Sequence, residues 1–168
     1  PTASISVLND HKVTIQDEDR ARFAFAQASS SVDESGGSHS VSVQLILADP
    51  NSALARAISI DTTDAGSGLA VNGTDYNFSA QTVFFQAGAR GGDTLAVTMS
   101  AIDDSRIEGN ETLTVRLNNV QGPVSTSPGE IVAPSDHVIT ILDNDQAELK
   151  FHLAASSVDE FTPNFQIQ

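Results

Sequence analysis

The chain has 168 residues, enough for one good-sized domain or for one domain with fragments of others. It carries 22 Asp and Glu against 8 Lys and Arg, a net charge of −14, which argues against nucleic acid because phosphate binding relies on Lys and Arg. The absence of cysteine excludes thiolate catalysis, disulfide bonds and sulfur-ligated zinc, and no apolar run reaches the length of a membrane span.

Alternating apolar residues predict β-strands throughout, and no segment has the periodicity of a helix. In chain order, the predicted strands contain residues 23–25, 41–47, 57–62, 81–85, 95–99, 112–117 and 138–142. About seven strands separated by turn-rich stretches are typical of an all-β, immunoglobulin-like, two-sheet antiparallel β-sandwich. Residues 118–136 are predicted to be a long loop, either disordered or involved in binding.

The two ends of the chain repeat each other. Residues 11–34 and 137–160 are identical at 13 of 24 positions, without a gap, at an offset of 126 residues. We therefore interpret 1–19 as the tail of one unit, 20–145 as a complete unit and 146–168 as the start of a third. The two end segments lack sheets of their own, so we expect them to be disordered or to exchange strands between molecules.

Carboxylates concentrate where the predicted strands end. Oxygen-rich groups of this kind suit a hard cation such as calcium. Taken singly, each Asp or Glu can also be explained as a turn residue or as part of a solvated loop, and for Asp75, Glu108 and Glu111 that explanation is favoured. Gathered together, like charges at about 4 Å would repel by several kcal/mol at an effective dielectric near 20, unless a cation is present. No EF-hand spacing occurs, so such a site would be assembled from distant loops.

Several motifs together resemble the Calx-beta domain, which occurs in the regulatory part of sodium–calcium exchangers, in integrin beta-4 and in large bacterial surface proteins. The resemblance extends over the complete unit and is carried by residues 31–34, 61–70, 73–76, 83–88, 102–113 and 139–145. It implies metal ligands at Glu34, Asp75, Asp103, Asp104, Glu108, Glu111, Asp143, Asn144 and Asp145.

Two positions depart from the acidic pattern of that family. Ser105 and Asn144 stand where calcium-binding members carry carboxylates, and both lower the local charge. Asn144 can still offer a carbonyl oxygen to an ion. The resemblance therefore implies a Ca2+ site but leaves the number of ions open, and some family members bind no calcium.

The resemblance implies a calcium-binding structural or adhesive repeat, extracellular or at a cell surface, with its ion site stiffening a tandem array. Two alternatives remain: a cytoplasmic calcium-sensing domain of an exchanger-like membrane protein, and a metal-free spacer or protein-binding module. The expected partners are calcium ions, neighbouring repeats and a protein or polysaccharide surface ligand. We do not expect an enzyme, because the four His form no His-Glu-x-x-His motif and no Gly-x-Ser-x-Gly elbow occurs. His11 and His137 share one repeat position, so we interpret them as structural.

Overall fold

In this computed structural model, the described residues are 20–49, 51–122 and 129–152, with short pieces at 12–13, 154–155, 157–158 and 160. A short 3-10 helix, Glu34–Gly36, is the one helix in these ranges, and no helix among them is long and apolar enough to cross a membrane. The strands are β1 (Arg22–Phe25), β2 (Ser29–Asp33), β3 (Ser38–Ile46), β4 (Ile58–Asp64), β5 (Tyr76–Asn77), β6 (Gln81–Phe85), β7 (Thr94–Ala101), β8 (Glu111–Gln121), β9 (Glu130–Ile131) and β10 (Asp136–Leu142).

The strands form two five-stranded sheets that pack face to face. The first sheet has the order β5-β7-β3-β1-β9, and the second has the order β2-β10-β8-β4-β6. Their inward residues alternate with exposed ones, as the period of a strand requires, and together they form one apolar core. Phe23 of the first sheet and Phe85 of the second meet there, with their ring centroids 5.5 Å apart. The predicted β-sandwich is confirmed.

The strand count and pairing differ in detail from the sequence prediction. The first predicted strand continues into a second, because the chain crosses between the sheets after Phe25: β1 pairs with β3, while β2 pairs with β10. The crossing also makes two pairings parallel, β1 with β9 and β2 with β10. Alternation shows which residues face inward, but it does not show which strands are neighbours.

The stretch 118–136, predicted to be a loop, is partly strand. Strand β8 continues to Gln121, since Val120 packs against the core, and β9 pairs with β1 before β10 begins. Residues 123–128 lie outside the described part of the chain.

Of the two predicted end segments, 1–19 is described only at 12–13, whereas 146–168 is described at 146–152, 154–155, 157–158 and 160, and these residues contain no strand. The described strands run from Arg22 to Leu142, within the range predicted for the complete unit. The division into 1–19, 20–145 and 146–168 stays a prediction.

Four acidic segments meet at one end of the sandwich. Parallel pairing of β2 with β10, with Asp33 opposite Leu142, brings Glu34 and residues 143–145 to the same end. Strand β8 starts there, because Glu111 lies opposite Ile141. The β4–β5 connection reaches this end through the bond from Ala65 N–H to the Thr114 carbonyl. We call the carboxylates and Asn144 of this end the acidic pole: Glu34, Asp75, Asp103, Asp104, Glu108, Glu111, Asp143, Asn144 and Asp145.

Candidate metal centre

The first carboxylate group of the acidic pole consists of Glu34, Asp143 and Asp145. One oxygen from each lies within 4.8 Å of the other two. Glu34 is only 8% exposed, and its Oε1 accepts a bond from the backbone N–H of Asp104 at 3.2 Å. The end of β2 and the end of β10 thus place three acidic side chains together.

Asp143 is held by the β7–β8 connection. Its Oδ2 accepts bonds from the backbone N–H groups of Glu108 at 3.0 Å and Gly109 at 2.7 Å. Its Oδ1 accepts a bond from the N–H of Asp145 at 2.9 Å. The Asp143 N–H lies 3.3 Å from Asn110 Oδ1. These bonds fix the loop against the end of β10.

The second group consists of Asp75, Glu108 and Glu111, again with one oxygen from each within 4.8 Å of the others. The Asp75 carboxylate is oriented by the N–H of Val71, which donates to its Oδ2 at 2.6 Å. The two groups share one pocket, whose acidic lining is Glu34, Asp75, Glu108, Glu111 and Asp143. The structure therefore brings six of the nine predicted ligands into two adjoining groups.

The other three predicted ligands lie beside these groups rather than in them. Asn144 Nδ2 donates to Asp103 Oδ1 at 3.1 Å, so the amide nitrogen binds a carboxylate. Asp104 Oδ1 accepts a bond from the Arg106 N–H at 2.7 Å. The roles of all nine residues as ligands stay predictions.

Burial and neighbouring charges raise the pKa of Glu34. Burial is the largest cause that raises the pKa of Glu34, and the charges of Asp104, Asp145 and Asp143 raise it further. The bond from the Asp104 N–H opposes this rise, because it stabilises the ionised form.

The same causes raise the pKa of Glu111 in the second group. Burial raises the pKa of Glu111 most, followed by the charge of Asp75 and a hydrogen bond with it, and then by the charges of Glu108 and Glu34. The charge of Glu34 raises the pKa of Glu111, so the two groups are close enough to interact electrostatically.

The pKa values of Asp143 and Asp145 are shifted in opposite directions. Burial, and then the charges of Asp143, Asp104 and Asp103, raise the pKa of Asp145. Bonds from the backbone N–H groups of Asp145 and Gly109 lower the pKa of Asp143. Asp143 is therefore held ionised next to carboxyl groups whose ionisation is opposed.

The donor set fits a hard divalent cation. Each group offers carboxylate oxygens, which calcium prefers, and calcium needs six to eight oxygens from protein and water. In the described part of the chain, Asp145 Oδ2 is the one buried side-chain oxygen or nitrogen without a hydrogen-bond partner. A buried, unpaired carboxylate oxygen is costly without a proton or a cation. The residues present therefore fit a calcium site.

Arg106 is a neighbour of the two carboxylate groups that sequence reasoning did not single out. Its guanidinium lies 3.9 Å from Asp104 and 3.5 Å from Glu108. It supplies a cation at the edge of the acidic pole, although its side chain is largely exposed. Its position between the two acidic residues in the sequence was the available signal.

Tyr76 was also overlooked as a support for the second group. Its hydroxyl donates to Asp64 Oδ2, which joins β5 to the end of β4. Burial, and then the bond with Asp64, raise the pKa of Tyr76. The adjacent Asp75 is thereby attached to a buried ring.

A comparison with known protein families shows to which family the chain belongs. The Calx-beta domain family matches residues 16–145. The chain belongs to this family. A comparison with curated proteins gave no match.

Three solved structures share the Calx-beta fold of this chain. The apo form of the Calx CBD1 domain has a TM-score of 0.57 at 24% identity, covering 75% of this chain and 99% of that one. CBD12 from CALX1.2 has a TM-score of 0.56 at 22% identity, covering 74% of this chain and 44% of that one. The calcium binding domain CBD12 of CALX1.1 has a TM-score of 0.54 at 23% identity, covering 73% and 44%.

Proposed function

We propose that this Calx-beta domain binds calcium at the acidic pole and serves as a structural, non-catalytic module. The observation that carries the proposal is the pair of adjoining carboxylate groups around one pocket. The buried, unpaired Asp145 Oδ2 adds support, because an ion would satisfy it. A structural relative is described as a calcium binding domain, and the family is one of regulatory and binding domains.

Each group has its own part in holding calcium. Glu34, Asp143 and Asp145 would bind through the ends of β2 and β10, and Asp75, Glu108 and Glu111 through the two loops beside them. Calcium supplies the positive charge that allows these carboxylates to stay ionised together. The backbone bonds on Asp143 keep the β7–β8 loop in position for that binding.

The test is the melting temperature with calcium and with chelator. Ligand at about 100 times its Kd stabilises a folded protein by about 2.7 kcal/mol, so calcium should raise the melting temperature by several degrees. Glu108→Gln should remove most of that rise. Glu130→Gln, at the opposite end on β9, is the matched control and should keep it. An unchanged wild-type melting temperature at millimolar calcium would favour the metal-free spacer.

The finer proposal is a calcium-stiffened joint in a tandem array, extracellular or at a cell surface. Its support is the 126-residue repeat and the short connection: three residues, 146–148, separate Asp145 from the predicted next strand at Leu149. A connection held by metal ligands has little freedom left. In such an array, neighbouring repeats are the nearest partners, and an adhesive role would add a protein or polysaccharide ligand.

Small-angle scattering of a two-repeat protein tests the joint separately from binding. The maximum dimension should increase and the flexibility should fall when calcium replaces chelator. Equal values in both conditions would reject stiffening, even where calorimetry shows that calcium binds.

A calcium-sensing role in an exchanger-like membrane protein is the second candidate. The likeness to the tandem CBD12 structures favours it. Membrane-spanning segments in the full-length protein would support the sensing role, whereas further repeats without them would support the array.

A further inference from the structure

A serine joins two histidines between the sheets. Ser30 Oγ of β2 lies 2.8 Å from Nε2 of His39 on β3 and 2.7 Å from Nε2 of His137 on β10. Strands β2 and β10 belong to one sheet and β3 to the other. This His39–Ser30–His137 bridge is therefore a polar connection across the sandwich.

The protons of the neutral bridge follow from the acceptors around it. His137 Nδ1 lies 2.7 Å from the carbonyl oxygen of Gln27, which can only accept, so Nδ1 carries a proton. In a neutral ring, Nε2 of His137 then accepts from the Ser30 hydroxyl. Ser30 Oγ in turn accepts from the Nε2–H of His39. Both bonds of Ser30 and the bond to Gln27 therefore have one donor and one acceptor each.

One added proton leaves the bridge intact. If His39 gains it, at Nδ1, its Nε2–H still donates to Ser30. If His137 gains it, the Nε2–H of His137 donates to Ser30 Oγ. The Ser30 hydroxyl then donates to Nε2 of His39, whose own proton lies on Nδ1. With a second added proton, both Nε2–H groups donate to Ser30 Oγ, so the Ser30 O–H loses its acceptor and two imidazolium charges lie on either side of one oxygen.

The surroundings do not compensate for two charges. His137 is 2% exposed and packs against the ring of Phe25, with centroids 5.5 Å apart. In the neighbouring strands, Met99 of β7 pairs with His39, and Val115 of β8 pairs with His137. These residues of β1, β7 and β8 are uncharged. Within the described residues, the one group whose charge acts on the pKa of His39 is His137 in its protonated form.

The bridge anchors an edge strand. Strand β2 lies at the end of its sheet and is paired on one side only, with β10. Its inward side chains are Ser30 and Val32, and only Val32 packs against the apolar core. Loss of the Ser30 bonds would thus remove one of the two side-chain attachments of β2.

We propose that the His39–Ser30–His137 bridge is a pH-sensitive latch, which holds β2 on the sandwich until the second imidazole is protonated. Burial, and then the charge of His137, lower the pKa of His39. A lowered histidine pKa contributes stability that is complete above the unfolded value of about 6.5 and is lost as the pH falls below it. Acid should therefore release β2 before the rest of the sandwich.

Hydrogen exchange of the wild-type chain in chelator, at pH 7 and pH 5, tests the latch independently of calcium. Protection factors of the β2 amides, relative to those of the central strand β8, give the opening equilibrium of β2. One linked proton changes that equilibrium at most about tenfold per pH unit. We expect a roughly tenfold increase in β2 opening at pH 5. A change below about twofold would overturn the proposal, because one linked proton should exceed it.

Two variants separate the latch from general acid sensitivity. His39→Gln should abolish most of the increase, whereas His152→Gln, which replaces an exposed imidazole, should keep it. An increase in His39→Gln as large as in the wild type would overturn the latch. Ser30→Ala provides a check should His39→Gln fold poorly: its β2 should already be open at pH 7 to the wild-type level at pH 5. Wild-type protection of β2 in Ser30→Ala at pH 7 would also reject the proposal.

Discussion

Glu34 is 8% exposed, yet it carries an ionisable carboxyl within the acidic pole. Glu34→Gln keeps the shape and the acceptor for the Asp104 N–H but removes one of the crowded charges. In chelator, we expect this variant to melt higher than the wild type, because less repulsion remains. Its calcium affinity should fall at least about tenfold, or about 1.4 kcal/mol. Calorimetry and thermal unfolding measure the two effects.

The control for Glu34→Gln is Asp33→Asn, an adjacent exposed carboxylate outside the two groups. It should alter neither quantity by a comparable amount. A Glu34→Gln protein with wild-type calcium affinity would remove Glu34 from the site.

The pKa directions at the pole predict a pH dependence. The pKa values of Glu34, Glu111 and Asp145 are raised in the folded protein. Their contribution to stability without calcium is complete below the unfolded values, 4.5 for Glu and 3.8 for Asp, and is lost as pH rises through the folded values. Calcium must displace these protons, so its binding should strengthen over the same range.

The measurement is the difference in melting temperature between calcium and chelator at pH 5 and at pH 7.5. The difference should be larger at pH 7.5. A calcium effect that is equal or greater at pH 5 would mean that these raised carboxyls do not take part in binding.

At the scale of elements, the β4–β5 connection approaches β8 at Gly68. A Cβ at Gly68 would lie 2.0 Å from the carbonyl oxygen of Thr112, and the residue has a φ of +123°. Gly68→Ala should therefore cost about 3 kcal/mol of unfolding free energy, from backbone strain and a clash with backbone. It should also weaken calcium binding, because Thr112 follows Glu111.

Gly66→Ala is the matched control in the same connection. Its φ is +65°, with nothing within 4 Å of the added Cβ, so it should cost only about 1 kcal/mol. Urea unfolding of both variants measures the difference. Equal costs would show that the contact with Thr112 does not limit this loop.

Much of the strand content could be predicted from the sequence. Alternation in Val41, Val43 and Leu45 predicted β3, and the same pattern in Leu113, Val115 and Leu117 predicted β8, because only inward side chains need to be apolar. The division of β1 from β2 could not be predicted, since Ser29–Asp33 has little apolar character. Its attachment depends on pairing with β10, which is distant in sequence.

The candidate site could likewise be predicted only in part from the sequence. The motifs named all six members of the two carboxylate groups, because their residue types and positions at strand ends are visible in the sequence. Their division into two groups depends on how four loops pack, which is a long-range property. The backbone bonds from Glu108 and Gly109 to Asp143 have no side-chain signal, so only the structure shows them.

At the scale of the whole molecule, charge is distributed unevenly. The net charge is −14, and nine residues at one end, eight of them carboxylates, form the acidic pole, where Arg106 makes the ion pairs. Two other ion pairs of the described residues, Arg22 with Glu130 and Arg116 with Asp136, lie toward the opposite end, and a third joins Lys150 to Glu148 just after Asp145. Because its carboxylates are concentrated at one end, the sandwich should be stabilised by a cation bound there. Its free energy of unfolding should therefore increase when that cation binds.

Terbium luminescence tests the central claim, calcium binding at the acidic pole, most directly. The chain has one Tyr and no Trp, so sensitised emission must arise from Tyr76, which is adjacent to Asp75 of the second carboxylate group. The account predicts terbium emission on excitation of Tyr76, saturating with terbium and displaced by calcium but not by an equal concentration of sodium. Absence of emission, or emission that calcium does not displace, would contradict calcium binding beside Asp75.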